Sequence, residues 1–214
     1  MTSSRAPRIY VLAGVNGAGK SSIAGASFRA AGVDYYNPDE AARKLIAANP
    51  GLTQTQANSA AWQQGRFLLE TAIARRLDFA FETTLGANTI PRLLSKAVSK
   101  GADVHVWYAG LSSPELHIER VRARVRKGGH DISEADIRRR YKHSRLNLIH
   151  LLPVLTALRV YDNSIEADPA AGKEPTPKLV LHRERGKIVG PADLSKTPEW
   201  AKPIVAAALK LRSR

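Results

Sequence analysis

Cysteine is absent from all 214 residues, which removes disulfides, thiolate zinc sites and a cysteine nucleophile and leaves His, Asp and Glu as the possible metal ligands. Acid is scarce as well. Only 19 Asp and Glu face 33 Lys and Arg, for a formal charge of +14 and a pI near 10.4. No apolar run approaches the ~18 residues that a membrane helix needs, and residues 1–7 are polar, with no apolar signal region. A soluble, cytoplasmic protein with no membrane partner is expected. There is no internal repeat, and the length suits one domain over 1–214, with a core at about 8–164 and an extension at about 165–214.

A strongly basic chain invites a nucleic-acid reading, so the distribution of the charge matters. Residues 120–145 carry eight Arg and two Lys against Asp131, Glu134 and Asp136, a net +7 that is half of the whole excess. So local a cluster suits a small polyanion better than a long duplex, without removing the nucleic-acid alternative. The basic end, with Lys202, Lys210, Arg212 and Arg214, reads as a solvated tail.

Residues 8–13 form an apolar run of strand length that ends in Gly14, the pattern of a buried parallel strand. A helix should follow the glycine-rich turn, and residues 33–36 suggest a short second strand. Asn37, Pro38, Asp39 and Glu40 then supply a cap, a first-turn proline and acids for a helix to about Ala48. Long amphipathic spacing over 55–77 leads into a third strand at 79–81. Further helices are expected at 91–100, from Ser113 to the Gly128-Gly129 break, and from Ser133 to Pro153, with strands at 104–109 and 159–161 between them. Residues 166–178 read as a surface excursion, 179–189 as a hairpin bent at Arg185-Gly186, and Thr197-Pro198-Glu199 as the start of a last helix. Strand-helix alternation predicts a three-layer α/β/α fold with a mainly parallel sheet, plus a C-terminal hairpin and helix. Ligands then bind beyond the carboxyl ends of the strands.

Residues 14–21 match GxxxxGK[ST] in full between an expected strand and an expected helix. Glycines 14, 17 and 19 let backbone N–H groups turn onto phosphate oxygens, so Gly14, Asn16, Gly17, Ala18, Gly19, Lys20, Ser21 and Ser22 are the expected nucleotide cradle. Lys20 is placed to bridge β- and γ-phosphates of ATP and Ser21 to ligate Mg²⁺. A glycine-rich turn with a chance lysine is the competing reading, and the flanking pattern weighs against it.

Asp39, on the first turn of a helix after the second strand, has the place of a general base, although a first-turn acid that merely complements the helix dipole would look the same. FETTL runs from apolar strand to polar end, which puts Glu82 and Thr83 at the carboxyl edge of the sheet as acceptor-binding candidates. Glu82 is alternatively just the first solvated residue. Arg120 and Arg124 share one helix face at i and i+4, Arg122 and Arg126 another. One pair can face the nucleotide. His130, after the glycine pair, is a hinge, a ligand contact or a structural histidine.

Taken together, AGVNGAGKSS, NPDE, FETTL, RVRARVRKGGHDI with RRYKHSRLNL behind it, and VYDNS resemble the zeta-toxin family of P-loop kinases over about residues 8–164. The resemblance implies the fold of small nucleotide and metabolite kinases and phosphorylation of a hydroxyl on a UDP-activated amino sugar such as UDP-N-acetylglucosamine. It also implies a toxin role checked by a separate antitoxin, not one fused at the amino end. By the same resemblance Lys20 is the phosphate lysine, Asp39 the base, Glu82 a substrate-binding acid, and Arg120 and Arg124 the arginines at the phosphates. Here the arginines are more closely spaced than the family pattern, so Arg126 is an alternative to Arg124. Two rival functions stay open: a kinase for another small molecule or a nucleic-acid end, and a nucleotide-gated binding module without catalysis.

Overall fold

The computed structural model describes residues 5–20, 23, 35–165 and 176–212. Its frame is a six-stranded sheet in the order β2-β1-β3-β4-β5-β6, formed by β1 (Arg8–Ala13), β2 (Phe79–Thr83), β3 (Asp103–Gly110), β4 (Ala157–Asp162), β5 (Lys178–Glu184) and β6 (Lys187–Gly190). The first four are parallel, and β5 and β6 add on antiparallel as the expected hairpin. β1 lies between β2 and β3, and Ile9, Val11, Leu12 and Ala13 are sealed from solvent, as a parallel strand covered on both faces requires. The chain departs from β1 toward β2 on one side and β3 on the other. That divergence opens a crevice at the carboxyl end of β1.

The helices are α1 (Pro38–Ala48), α2 (Gln54–Arg75), α3 (Thr89–Ser99), α4 (Pro114–Arg126), α5 (Glu134–Leu151) and α6 (Lys202–Arg212), the last preceded by a 3₁₀ turn at Glu199–Ala201. Their starts follow local chemistry. The Asn37 side chain accepts from the N–H groups of Asp39 and Glu40, Thr53 and Gln56 form a reciprocal capping box, and Ser113 and Ser133 cap α4 and α5. No described helix is long and apolar enough to cross a membrane. The α/β class, the mainly parallel sheet and the C-terminal hairpin and helix are therefore as expected.

Of the second strand expected at 33–36, Val33 and Asp34 lie outside the described residues, and Tyr36 makes a parallel bridge to Phe81. One expectation needs correction: the basic C-terminal end is no solvated tail. Ile204, Val205 and Ala208 of α6 are buried beside Trp200 and Ala201 in the main core, because only Lys202, Lys210 and their neighbours on one side of the helix carry charge. Burying such apolar side chains contributes about 1.5–3 kcal/mol each.

Candidate active site

The glycine-rich turn at the end of β1 is shaped by what surrounds it. A Cβ at Gly14 would lie 2.3 Å from the Ala109 carbonyl oxygen of β3, and Gly14 has φ of +140°. At Gly17, φ is +80° and a Cβ would meet the His117 carbonyl oxygen of α4 at 2.8 Å. Both positions are closed to side chains by neighbouring backbone and by their own dihedrals. The loop is held from outside as well: Arg140 Nη1 donates to Asn16 Oδ1 at 2.7 Å, and Asn163 Nδ2 donates to the Ala18 carbonyl at 2.9 Å.

Lys20 is buried. Its Nζ donates to the Gly14 carbonyl at 2.8 Å and lies 3.3 Å from Glu82 Oε1. Glu82 Oε2 in turn accepts from Asn37 Nδ2 at 3.3 Å. The sheet-edge carboxylate therefore serves as counterion to the loop lysine and is not a solvated strand end. Ser21 and Ser22 of the cradle lie outside the described residues.

Asn37 also caps α1, so the Glu82 contact and the position of Asp39 share one side chain. Asp39 Oδ2 stands 3.8 Å from Arg124 Nη1, with both side chains over a third exposed. Arg124 Nη2 donates to the His130 carbonyl at 3.0 Å, while its buried Nε has no partner among the described residues. The cradle, Asp39, Glu82 and Thr83 thus converge on one side of the sheet's carboxyl edge. A cavity of about 360 Å³ opens there, with Lys20, Asp39, Glu82, Thr83 and Arg140 at its polar end, Tyr36, Phe81 and Ile90 along its walls and Trp62 and Arg66 beyond.

Asp39 and His130 also line a second cavity, of about 760 Å³, together with Arg43, Arg120, Arg124 and Lys127. Arginine pairing separates the two sides of the basic stretch. Arg122, Arg138 and Arg139, outside the cavities, are matched to Glu134, Glu115 and Asp136. Arg43, Arg120 and Lys127, which face the second cavity, have no carboxylate partner among the described residues. Arg126 lines neither cavity and is exposed, so Arg120 and Arg124 are the pair that the fold turns inward.

Arg140 escaped the sequence reading because it sits in a run of three arginines. The signal that could have found it is spacing: Ile137, Arg140, Ser144, Leu148 and Leu151 follow one another at three and four, and all but Arg140 are buried. Burial pulls the Arg140 pKa down from its usual value, with Asp136 and Asp39 opposing that pull. Arg43 gave no sequence signal, since it stands in no motif; Asn163 stands in VYDNS, but nothing in that motif shows that its side chain reaches Ala18.

His117 was also missed. Its Nδ1 lies 2.8 Å from the Asn16 carbonyl, and a carbonyl can only accept, so the neutral ring carries its proton on Nδ1. Burial pushes its pKa down to about 4, the hydrogen bond to Asn16 opposing, and Lys20, Arg120 and Arg145 pushing further down. The unfolded chain, with histidine near 6.5, then binds the proton more readily than the folded one. The stabilisation is complete above pH ~6.5 and is lost as pH falls from there toward ~4, for a total of about 3 kcal/mol. Urea midpoints measured from pH 7.5 to 4.5 should fall more steeply for the wild type than for His117→Asn; parallel slopes would remove His117 as the cause.

This α/β fold, with a glycine-rich turn and buried lysine at the carboxyl end of a central parallel strand, defines the chain as a protein of the P-loop fold. A family model for the zeta toxin matches residues 1–167, and the chain belongs to that family. An uncharacterised protein of Haemophilus influenzae is 33% identical over 129 residues, covering 60% of this chain and 88% of that protein. The crystal structure of AvrRxo1-ORF1:AvrRxo1-ORF2 with sulphate ions is similar at a TM-score of 0.67 and 14% identity, over 97% of this chain and 75% of that one. The same complex with ATP gives 0.66 and 15%, over 94% of this chain and 63% of that one. The PezAT chromosomal toxin-antitoxin system of Streptococcus pneumoniae gives 0.57 and 14%, over 100% of this chain and 90% of that one. At these identities the structures support the fold alone.

Proposed function

We propose that this chain transfers the γ-phosphoryl group of ATP to a hydroxyl of a small molecule, and that the acceptor is a UDP-activated amino sugar. The observation that carries the reading is the position of Asp39, on the wall common to an acceptor-sized cavity beside Lys20 and a cleft lined by Arg43, Arg120, Arg124 and Lys127. The glycine cradle fits a triphosphate, since Cβ atoms at positions 14 and 17 would clash with flanking backbone. The AvrRxo1-ORF1:-ORF2 complex, which contains this fold, is solved with ATP.

In this scheme Asp39 takes the proton of the acceptor hydroxyl as its oxygen bonds to the γ-phosphorus and the bond to the ADP oxygen breaks. Lys20, Arg120, Arg124 and Arg140 balance the charge on the transferring group; the unpartnered Nε of Arg124 is a donor in waiting. A bound phosphate draws Lys20 Nζ from Gly14 and Glu82, which leaves Glu82, with Thr83, to orient the acceptor. The Glu82 carboxylate beside Lys20, with the hydroxyl expected from Ser21, supplies hard oxygen donors that suit Mg²⁺. When bound, the ion would neutralise phosphate charge. Arg43 and Lys127 suit the diphosphate of a sugar nucleotide and Trp62 a ring at the cavity mouth.

With ATP, magnesium and UDP-N-acetylglucosamine, mass spectrometry should detect one phosphorylated sugar nucleotide for each ADP. Phosphorylation of other hydroxyl acceptors with this sugar untouched would remove the sugar and leave the kinase. The likeness to the pneumococcal PezAT toxin-antitoxin system supports a further part of the proposal, a toxin role restrained by a separate antitoxin protein.

A further inference from the structure

The family model stops at residue 167, yet Trp200, beyond it, packs on β3 and bonds to residues that lead to the phosphate loop. Trp200 lies almost fully buried against the end of β3, so close that a Cβ at Gly110 would sit 2.1 Å from its Cη2. Its Nε1 donates to Asp162 Oδ1 at 3.2 Å. Asp162 also accepts from the Ser164 hydroxyl, whose oxygen accepts from the Ser112 N–H at 2.8 Å. Between Asp162 and Ser164 stands Asn163, buried, its backbone N–H on the Gly110 carbonyl at 3.0 Å and its side chain on the Ala18 carbonyl of the loop.

A second route leaves the Trp200 carbonyl, which accepts from Arg145 Nη1 at 3.2 Å. The Arg145 guanidinium covers the Tyr141 ring at 4.0 Å, and Tyr141 packs edge-on against His117, with centroids 5.7 Å apart. His117 holds the Asn16 carbonyl. One residue of the C-terminal segment, Trp200, therefore stands behind both carbonyl anchors of the turn, through its indole N–H toward Ala18 and through its main-chain carbonyl toward Asn16.

We infer that the C-terminal segment positions the phosphate loop, with Trp200 as the positioning residue that sets nucleotide affinity through Asp162-Asn163 and Arg145-Tyr141-His117. The inference rests on the reading of that loop as an ATP site. Preorganisation explains the effect: a turn whose carbonyls are already fixed loses less freedom when its N–H groups take up phosphate.

Trp200→Phe keeps an aromatic ring on Gly110 and deletes the Nε1 donor. Its affinity for Mg·ATP, measured by calorimetry, should fall about tenfold, the scale of one hydrogen bond to a charged group. Hydrogen exchange over residues 14–20, measured without nucleotide, should quicken. Ile204→Ala, in the same buried helix, serves as the control: it lowers thermal stability as much or more but leaves ATP affinity and loop exchange unchanged. Equal weakening by the two variants, or wild-type affinity and exchange in Trp200→Phe, would overturn the inference. If Trp200→Phe does not fold, half-buried Arg145→Gln tests the second route by the same readings. Failure of the wild type to bind ATP would instead strike the nucleotide reading, and the exchange measurement would still decide the brace.

Discussion

Arg140→Ala should lower turnover by about a thousandfold, with the melting temperature within a few degrees of wild type. The guanidinium is on α5, reaches Asn16 of the phosphate loop at 2.7 Å and lines the acceptor cavity beside Lys20 and Asp39. An arginine on a transferring phosphoryl group is worth roughly 10³–10⁵ in rate, and we take the lower figure because Arg120 and Arg124 also face the site. Stability changes little because two effects oppose each other. Loss of the side chain leaves Asn16 Oδ1 unsatisfied, at about 1–3 kcal/mol, but it also removes a cation that is partly desolvated and no closer than 4.0 Å to Asp136, a carboxylate it shares with Arg139. Arg140→Lys should recover little, since a point charge cannot hold Asn16 and a phosphate oxygen together. Arg122→Ala, on the outer side and matched to Glu134, should stay near wild-type turnover. A loss of less than tenfold in Arg140→Ala at saturating substrates would take Arg140 off the phosphate.

Much of the fold could be read because its signals are local. The apolar run of β1, the caps at Asn37, Ser113 and Ser133 and the Arg185-Gly186 bend each act within a few residues, and each element appears where its signal lies. The exception depends on distance. The burial of α6 depends on the sheet presenting it with a surface, and a basic composition says nothing of the opposite side of a helix.

The same division holds within the site. The cradle, Asp39 and Glu82 follow from motif and position, and they converge in space. What they touch could not be read: Glu82 pairs with Lys20 across 62 residues of sequence, and Arg140 reaches Asn16 across 124. Helical spacing singled out Arg120 and Arg124 as one face without showing which face turns inward. That depended on Glu134 and Glu115, which neutralise the arginines on the outside.

Asp39→Asn tests the chemistry most directly, and we expect turnover to fall by about 10³, within the 10²–10⁴ range for a positioned base. Asparagine preserves shape and leaves intact the bond from the backbone N–H of residue 39 to the Asn37 side chain, 2.9 Å in the wild type, so α1 should start where it does now. What is lost is the proton acceptor and the partner of Arg124. That pair, at 3.8 Å and more than a third exposed on both sides, contributes within about 1 kcal/mol to stability. The affinity for ATP should therefore change little while kcat collapses. Asp39→Ala with added formate separates a base from a binding group, because a small carboxylate in the vacated space can take the acceptor proton and partly restore turnover. If Asp39 only complements the dipole of α1, either substitution would cost about 0.3–1 kcal/mol of stability and leave turnover unchanged; that outcome would sink the base assignment while leaving the cradle as a nucleotide site.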